Sequence, residues 1–307
     1  MVLLKKAARR FANIVADNIK KNNTETETEL LALGALLSNQ QHITSPPVNF
    51  NDFEFKIFSQ WGDDGLIQYL IKNITIENKI FIEFGVGDYS ESNTRFLMMN
   101  NNWKGFVMDS SEENMRKLKN QNWFWKYSIK AQTAFITKEN INQILAETGF
   151  KNIGLLHIDL DGNDVHILQA LDLTVLNPSI IIMEYNSIFG KDRAISVPYD
   201  KDFSRTEKHY SNLYFGASLP ALTFIANNKG YCLVGCTLAG NNAFYVRKDL
   251  LNSAIKERTV DEAYILSNFR ESRNKDGSLS YLDGDARYEI IKGLDVVNVK
   301  TNVLEKL

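Results

Sequence analysis

Lys79-Ile-Phe-Ile-Glu83-Phe-Gly85-Val-Gly87-Asp88-Tyr-Ser-Glu-Ser-Asn93 reads as an apolar strand that runs into a glycine turn and then into a helix. Open parallel sheets bind ligands at the carboxyl ends of their strands, where a turn without side chains lets a ligand approach the backbone. A dinucleotide-binding turn would carry a third glycine where Ser90 stands. Glu83, two residues before the first glycine, sharpens the distinction. A carboxylate at that strand end suits a cationic amine, whereas a pyrophosphate wants uncharged backbone donors and a helix N-terminus.

Outward from this stretch, apolar runs alternate with helical patterns. The runs are Lys79 to Phe84, Gly105 to Met108, Tyr127 to Lys130, Ile153 to Ile158, Ile180 to Met183, Tyr231 to Val234 and Ala243 to Val246. Helices are predicted over Asp64 to Lys72, Ser92 to Met99, Glu112 to Lys119, Lys138 to Glu147, Val165 to Leu171 and Ala217 to Asn228. Short, continuously apolar strands separated by helices specify an α/β fold, a doubly wound, seven-stranded, mostly parallel Rossmann-like sheet covered on both faces. Before it, Leu3, Leu4, Ala7, Phe11, Ile14 and Val15 recur at helical spacing among Lys5, Lys6, Arg9 and Arg10, and a second helix is expected from Glu27 to Leu37. Residues 1–50 are therefore expected to be a helical arm and linker, broken at Ser45-Pro46-Pro47, with the main domain at 51–250. Residues 251–307, with a helix near Asp261 to Arg270 and a strand around Leu294 to Val299, form an annex too short for its own core.

The second strand ends in Asp109-Ser110, where a carboxylate can accept both hydroxyls of a ribose. An amine and a ribose on one ligand describe S-adenosylmethionine. At this point the chain resembles the class I methyltransferases and, among them, the FkbM-type branch. The segments that carry the likeness run from Ser59-Gln-Trp-Gly-Asp-Asp64-Gly through the glycine turn to Leu156-His-Ile-Asp159-Leu-Asp161-Gly-Asn-Asp164. They continue with Met183-Glu184-Tyr-Asn186, Gly216-Ala-Ser-Leu219 and Asn241-Asn-Ala-Phe-Tyr245. The resemblance implies that Glu83 serves the methionine amino group and that Gly85 and Gly87 allow close backbone approach. Asp109 would hold the ribose with Ser110 nearby, and Gln132 or Thr133 would lie near the adenine. Asp88 and Asn93, at the helix start, would meet the methionine carboxylate or a water, with Gln60 and Asp64 behind them.

The reacting end is expected at the fourth and fifth strands. His157 and Asp159 share a face at period two, with Asp159 at the strand end beside the expected sulfonium. An alcohol acceptor must lose its proton or have its pKa lowered, which leaves two routes. Asp159 or His157 acts as general base, or Asp159, Glu184 and Asn186 hold Mg²⁺. The catalytic candidates are therefore Asp159, His157 and Glu184. Metal-dependent O-methyltransferases place Asp-Asn consecutively, whereas Tyr185 separates Glu184 from Asn186 here. The bland readings stand beside these: His157 as a buried structural group, Asp161 and Asp164 as a helix-capping turn, His166 as packing, and Trp123, Phe124, Trp125 and Tyr127 as core.

The polar insertion from Phe189 to Phe215, with Lys191, Arg193, Tyr199, Asp200, Arg205, Lys208, His209 and Tyr214, is the expected acceptor lid. The FkbM resemblance implies O-methylation of a sugar, sugar nucleotide or glycan, as in polysaccharide biosynthesis, or of a secondary-metabolite hydroxyl. A nicotinamide oxidoreductase and a non-catalytic cofactor-binding scaffold are the rivals. With 35 Lys+Arg against 37 Asp+Glu, the chain carries a formal charge of -2 and no broad field for a nucleic-acid backbone. Its two cysteines, Cys232 and Cys236, make no disulfide framework, and no apolar run is long enough for a transmembrane span. The expected setting is the cytoplasm, with a homo-oligomer through the N-terminal helices as a further expectation.

Overall fold

The computed structural model describes residues 25–41 and 49–307. The first basic amphipathic pattern and the Ser45-Pro46-Pro47 break lie outside them. Helix α1 spans 25–40. There follow α2 (Asp63–Asn73), β1 (Asn78–Phe84), α3 (Arg95–Asn101), β2 (Lys104–Asp109), α4 (Glu112–Lys119), β3 (Ile129–Thr133), α5 (Ile141–Thr148), β4 (Ile153–Ile158), α6 (Asp164–Ala170) and β5 (Ile180–Glu184). After the insertion, which contains β6 (Ile195–Ser196) and α7 (Arg205–Lys208), come α8 (Leu219–Asn228), β7 (Tyr231–Cys236) and β8 (Asn242–Arg247).

The main sheet has the order β3-β2-β1-β4-β5-β8-β7. β1 to β5 pair in parallel, and β8 runs antiparallel to both β5 and β7. The strand order reverses between β1 and β4, which opens a crevice at their carboxyl ends. Period-two alternation divides the core between the two faces. Ile82, Phe84, Leu156 and Ile158 pack with α5, α6 and α8, while Phe81 and Leu155 pack with α2, α3 and α4. The second face also carries Glu83 and His157, opposite one another in the β1–β4 register. β4 is buried throughout, as a central parallel strand should be, and the edge strand β3 is mostly exposed.

The N-terminal arm packs on its own domain in the described residues. Ser38 Oγ donates to Gln68 Oε1 at 3.0 Å, Gln41 donates to the carbonyls of Phe53 and Gly65, and Glu27 pairs with Arg95 at 2.7 Å. Within the insertion, β6 joins β9 (Asp295–Asn298) and β10 (Val303–Lys306) in a second sheet of order β10-β9-β6. The insertion and the C-terminal residues thus share a small core that includes Phe189, Ile195, Val197, Leu213, Ile291 and Val296.

The C-terminal helix is far shorter than its pattern predicts. A Thr259–Glu262 capping box starts α9, which ends after Val260–Ala263. From Tyr264 the chain is drawn across the turn after β5: Tyr264 Oη donates to the Ser187 carbonyl, the Ile265 carbonyl accepts from Tyr185 Oη, and Ser267 N donates to Ser187 Oγ. Those tertiary bonds replace helical ones. The C-terminal helix that does form, α10 (Gly284–Ile291), begins on a glycine, and no apolar pattern announces it. Trp123 enters the core as expected, whereas Trp125 is 79% exposed. Both cysteines are buried. Among the described residues no helix is long and apolar enough to cross a membrane.

Candidate active site

The turn after β1 owes its path to two left-handed glycines, Gly85 at φ 72° and Gly87 at φ 54°. At Gly85 a Cβ would overlap the carbonyl oxygen of Asp159, so this glycine allows the β1 and β4 strand ends to touch. Gly87 N donates to Asp109 Oδ2 at 2.9 Å, and Ser111 N donates to Oδ1 at 2.8 Å. Asn114 Nδ2 also reaches Oδ1, at 3.4 Å, so Asp109 ties the glycine turn to the end of β2 and keeps a lone pair on Oδ2 for another donor. Asp88 accepts from the backbone and hydroxyl of Ser90, an Asx turn in the rim of the crevice.

Glu83 lies beneath the turn with 2% of its surface exposed. Its Oε1 accepts from Asn93 N at 3.0 Å and faces His157 Nδ1 at 2.9 Å. Its Oε2 accepts from the hydroxyls of Ser92 and Thr94. The register predicts this meeting, since residues opposite one another in adjacent strands share a face. The engagement of Ser92 to Thr94 also explains why α3 begins at Arg95 and not at Ser92. Burial alone would push the Glu83 carboxyl up, but the hydrogen bond and charge of His157 bring it below its ordinary value. Burial likewise pulls on His157, and Glu83 holds it above the ordinary histidine value. The other ring nitrogen, Nε2, contacts Asn93 Nδ2 at 3.2 Å. With both nitrogens engaged, His157 anchors Glu83 and has no free edge to act as a base.

One step beyond the paired residues Ile158 and Met183, Asp159 and Glu184 leave adjacent strand ends. Asp161, in a left-handed conformation at φ 54°, turns back toward them. The three residues each bring one carboxylate oxygen within 4.8 Å of the others. Burial and the charge of Asp161 push Asp159 up to about 7. Burial and the charge of Asp159 hold Glu184 well above the usual carboxylate range. Two buried carboxylates whose ionisation is opposed, with the Asp161 carboxylate beside them, form an oxygen donor set suited to a hard divalent cation.

Asn186 is not part of that set. Buried at 2% exposure, it accepts from Ile188 N and donates to the carbonyls of Leu213 and Phe215, clamping the insertion's return. Asp161, read from sequence as a capping turn, stands in the expected place of Asn186. Asp164, the first residue of α6, instead braces the turn before the helix by accepting from the backbone of Leu160 and Gly162. His166 is held by the Val197 carbonyl at 2.9 Å. Asp64 accepts from the backbone of Ile57, Phe58 and Ser59 and is wholly structural, while Gln60 reaches the crevice wall.

The crevice has two lobes that share Gly85 and Asp159. One, of about 270 Å³, is lined by Gln60, Glu83, Gly87, Asp88, Asn93 and His157 among others. The second, of about 350 Å³, runs past Asp109 and Ser110 to Ala134, Phe135 and Ile136, with Asp161, Phe203 and Arg205 on its other side. Gln132 lines neither lobe. It sits exposed on the edge strand β3, and the wall beyond that strand is apolar, made by the residues just after it. A hydrophobic Phe-Ile pair following a strand is the signal that would have found it.

Residues 68–208 match the model of the methyltransferase FkbM domain. No curated protein sequence matches the chain. Similar solved structures include an O-methyltransferase family protein from Burkholderia thailandensis, at 7% identity and a TM-score of 0.39 over 61% of this chain and 58% of that one. Another is M. capricolum TrmK in complex with S-adenosyl-homocysteine, at 12% identity and 0.36 over 64% and 74%. A third is an S-adenosylmethionine-dependent methyltransferase from Clostridium acetobutylicum, at 9% identity and 0.38 over 60% and 89%. The chain thus spans little more than half of the Burkholderia protein's length.

Proposed function

With residues 68–208 forming a class I, FkbM-type S-adenosylmethionine-dependent methyltransferase domain, we propose that this protein methylates a hydroxyl of a sugar, sugar nucleotide or glycan. A secondary-metabolite hydroxyl is the alternative acceptor. The observation that carries the proposal is the two-lobed crevice at the β1/β4 switch point, in which a fixed glycine turn and a carboxylate cluster meet at Asp159.

S-adenosylmethionine supplies an electrophilic methyl group on a sulfonium. The chain's own residues do the rest. Gly85 and Gly87 admit the ligand to the backbone, and Asp109 offers the free lone pair of Oδ2 to the ribose hydroxyls. Glu83 works through the field of a buried negative charge beneath the turn, because its oxygens are already filled by protein donors. Asp159 takes the acceptor's proton as the acceptor oxygen bonds the methyl carbon and the sulfur–carbon bond breaks. A base with a pKa of about 7 is matched to that task near neutrality. Asp159, Asp161 and Glu184 would hold Mg²⁺, whose chemistry would be to lower the hydroxyl's pKa. The division into arm (1–50), catalytic domain (51–250) and C-terminal annex (251–307) belongs to the same proposal.

Thermal denaturation with added ligand tests it, since selective binding raises apparent stability. S-adenosylmethionine and S-adenosylhomocysteine should each raise the melting temperature, and NAD should not. No shift with either sulfur ligand would refute the reading. EDTA sensitivity of turnover, restored by Mg²⁺, would support the metal route, and indifference to EDTA would leave Asp159 as base.

A further inference from the structure

Most of the insertion's cations are committed to holding the insertion itself. Lys191 pairs with Asp261 at 2.6 Å, Arg193 with Glu305 at 2.7 Å and Lys208 with Asp200 at 2.5 Å. Arg205 differs, because it lines the crevice beside Asp159 and Asp161. Three contacts fix its guanidinium. Nε donates to the Asn212 carbonyl at 2.7 Å, the group lies over the Phe215 ring at 3.7 Å, and Nη1 reaches Asp161 Oδ1 at 3.3 Å. That last contact is long for a charge-assisted bond, and the Asp161 side chain is 68% exposed. Nη2 takes no hydrogen bond among the described residues.

We propose that Arg205 determines acceptor specificity by clamping an oxyanion, a carboxylate or phosphate, carried by the acceptor near the hydroxyl that is methylated. The inference rests on the methyltransferase reading and adds the substrate class. A guanidinium held at Nε and stacked on an aromatic ring has already lost most of its side-chain freedom, so its two outer nitrogens meet an anion with little further ordering cost. Planar, bidentate recognition of carboxylate or phosphate is what this fork geometry favours over a lysine. Asp161 occupies the fork weakly in the absence of an acceptor. When the acceptor's oxyanion takes its place, Asp161, already beside Asp159 and Glu184, gives up its contact with the guanidinium.

The test uses the full chain saturated with S-adenosylhomocysteine, whose own binding is titrated first, so that failure of the parent reading is seen separately. Calorimetry then compares glucuronate, glucose 1-phosphate and methyl glucoside as probes at fixed ionic strength. At least one anionic probe should bind about tenfold tighter than the neutral glycoside, and whichever of the two prevails identifies the preferred oxyanion. Arg205→Gln should remove that advantage while changing methyl glucoside binding less than about twofold. Arg205→Lys, which keeps the charge and loses the fork, should retain only a minor part of it. If Arg205→Gln does not fold, the lysine variant carries the test, with its S-adenosylhomocysteine affinity as the control. Equal affinity of charged and neutral probes for the wild type overturns the proposal, as does an equal loss for both in either variant.

Discussion

The two lobes of the crevice share Gly85 and Asp159 but are built in opposite ways. Beneath the glycine turn Glu83 is satisfied by Ser92, Asn93, Thr94 and His157, and Asp109, from the wall of the second lobe, pins the turn through Gly87 N. Across the shared wall, Asp159 is raised by burial and the charge of Asp161, and Glu184 by burial and the charge of Asp159, against which the Arg205 cation pulls only in part. The first lobe is a preorganised mould, and the second stores electrostatic stress that a proton, a cation or an acceptor must relieve.

The largest expected effect breaks the mould. Glu83→Ala leaves His157 and two hydroxyls buried without their acceptor and should cost about 3–5 kcal/mol, the usual loss when one partner of a buried pair is removed. Urea denaturation reads it, and a cost under about 1 kcal/mol would mean that water replaces the carboxylate. Next comes the stressed lobe. Asp159→Asn should lower turnover by about 10²–10⁴, the range of general acid–base catalysis, while S-adenosylhomocysteine binds within a few fold of wild type. Turnover above about a tenth of wild type removes Asp159 as the base.

A smaller effect separates the lobes by pH. Asp159 has a folded pKa of about 7 against an ordinary 3.8, so the folded state binds the extra proton between those values. Its contribution to stability therefore falls as pH rises from the ordinary carboxylate range through about 7. Without added cation, the Asp159→Asn variant should gain about 1–3 kcal/mol relative to wild type between pH 5 and pH 8, since each tenfold difference in proton affinity between the folded and unfolded states is worth ~1.4 kcal/mol. The Glu83–His157 pair behaves differently. Its glutamate is lowered and its histidine raised, so its contribution is greatest between their ordinary values and fades on either side. Parallel pH–stability curves for wild type and Asp159→Asn would contradict this contrast. Least of all, Gln132→Ala should change cofactor affinity less than about twofold, whereas Phe135→Ala, on the crevice wall, should weaken it several fold. Isothermal titration with S-adenosylhomocysteine distinguishes them.

The mould was the more legible lobe because its parts are close in sequence or follow strand periodicity. A strand end, two glycines and an acid closing the next strand are local features with local causes, and β1 and β4 appear within a residue or so of their predicted bounds. The stressed lobe is misread from sequence in particular ways. Asn186 looks like a metal ligand by its spacing from Glu184, yet the turn after β5 points its amide at Leu213 and Phe215. Asp161 looks like part of a capping turn, and only its left-handed backbone swings it toward Glu184. Gln132 misses the crevice because β3 is an edge strand, whose polar residues face water. The lid's charges suggest a basic acceptor surface, but tertiary pairing commits Lys191, Arg193 and Lys208 elsewhere and leaves Arg205.

The sequence by itself determined the sheet, its parallel sense and the glycine turn, because hydrophobic periodicity and glycine's freedom at positive φ act over a few residues. Only the tertiary structure decided which carboxylates are satisfied and which are stressed. Whether an acid is quiet or reactive depends on partners brought from distant strands and on exclusion of water, and neither is written in its immediate neighbours.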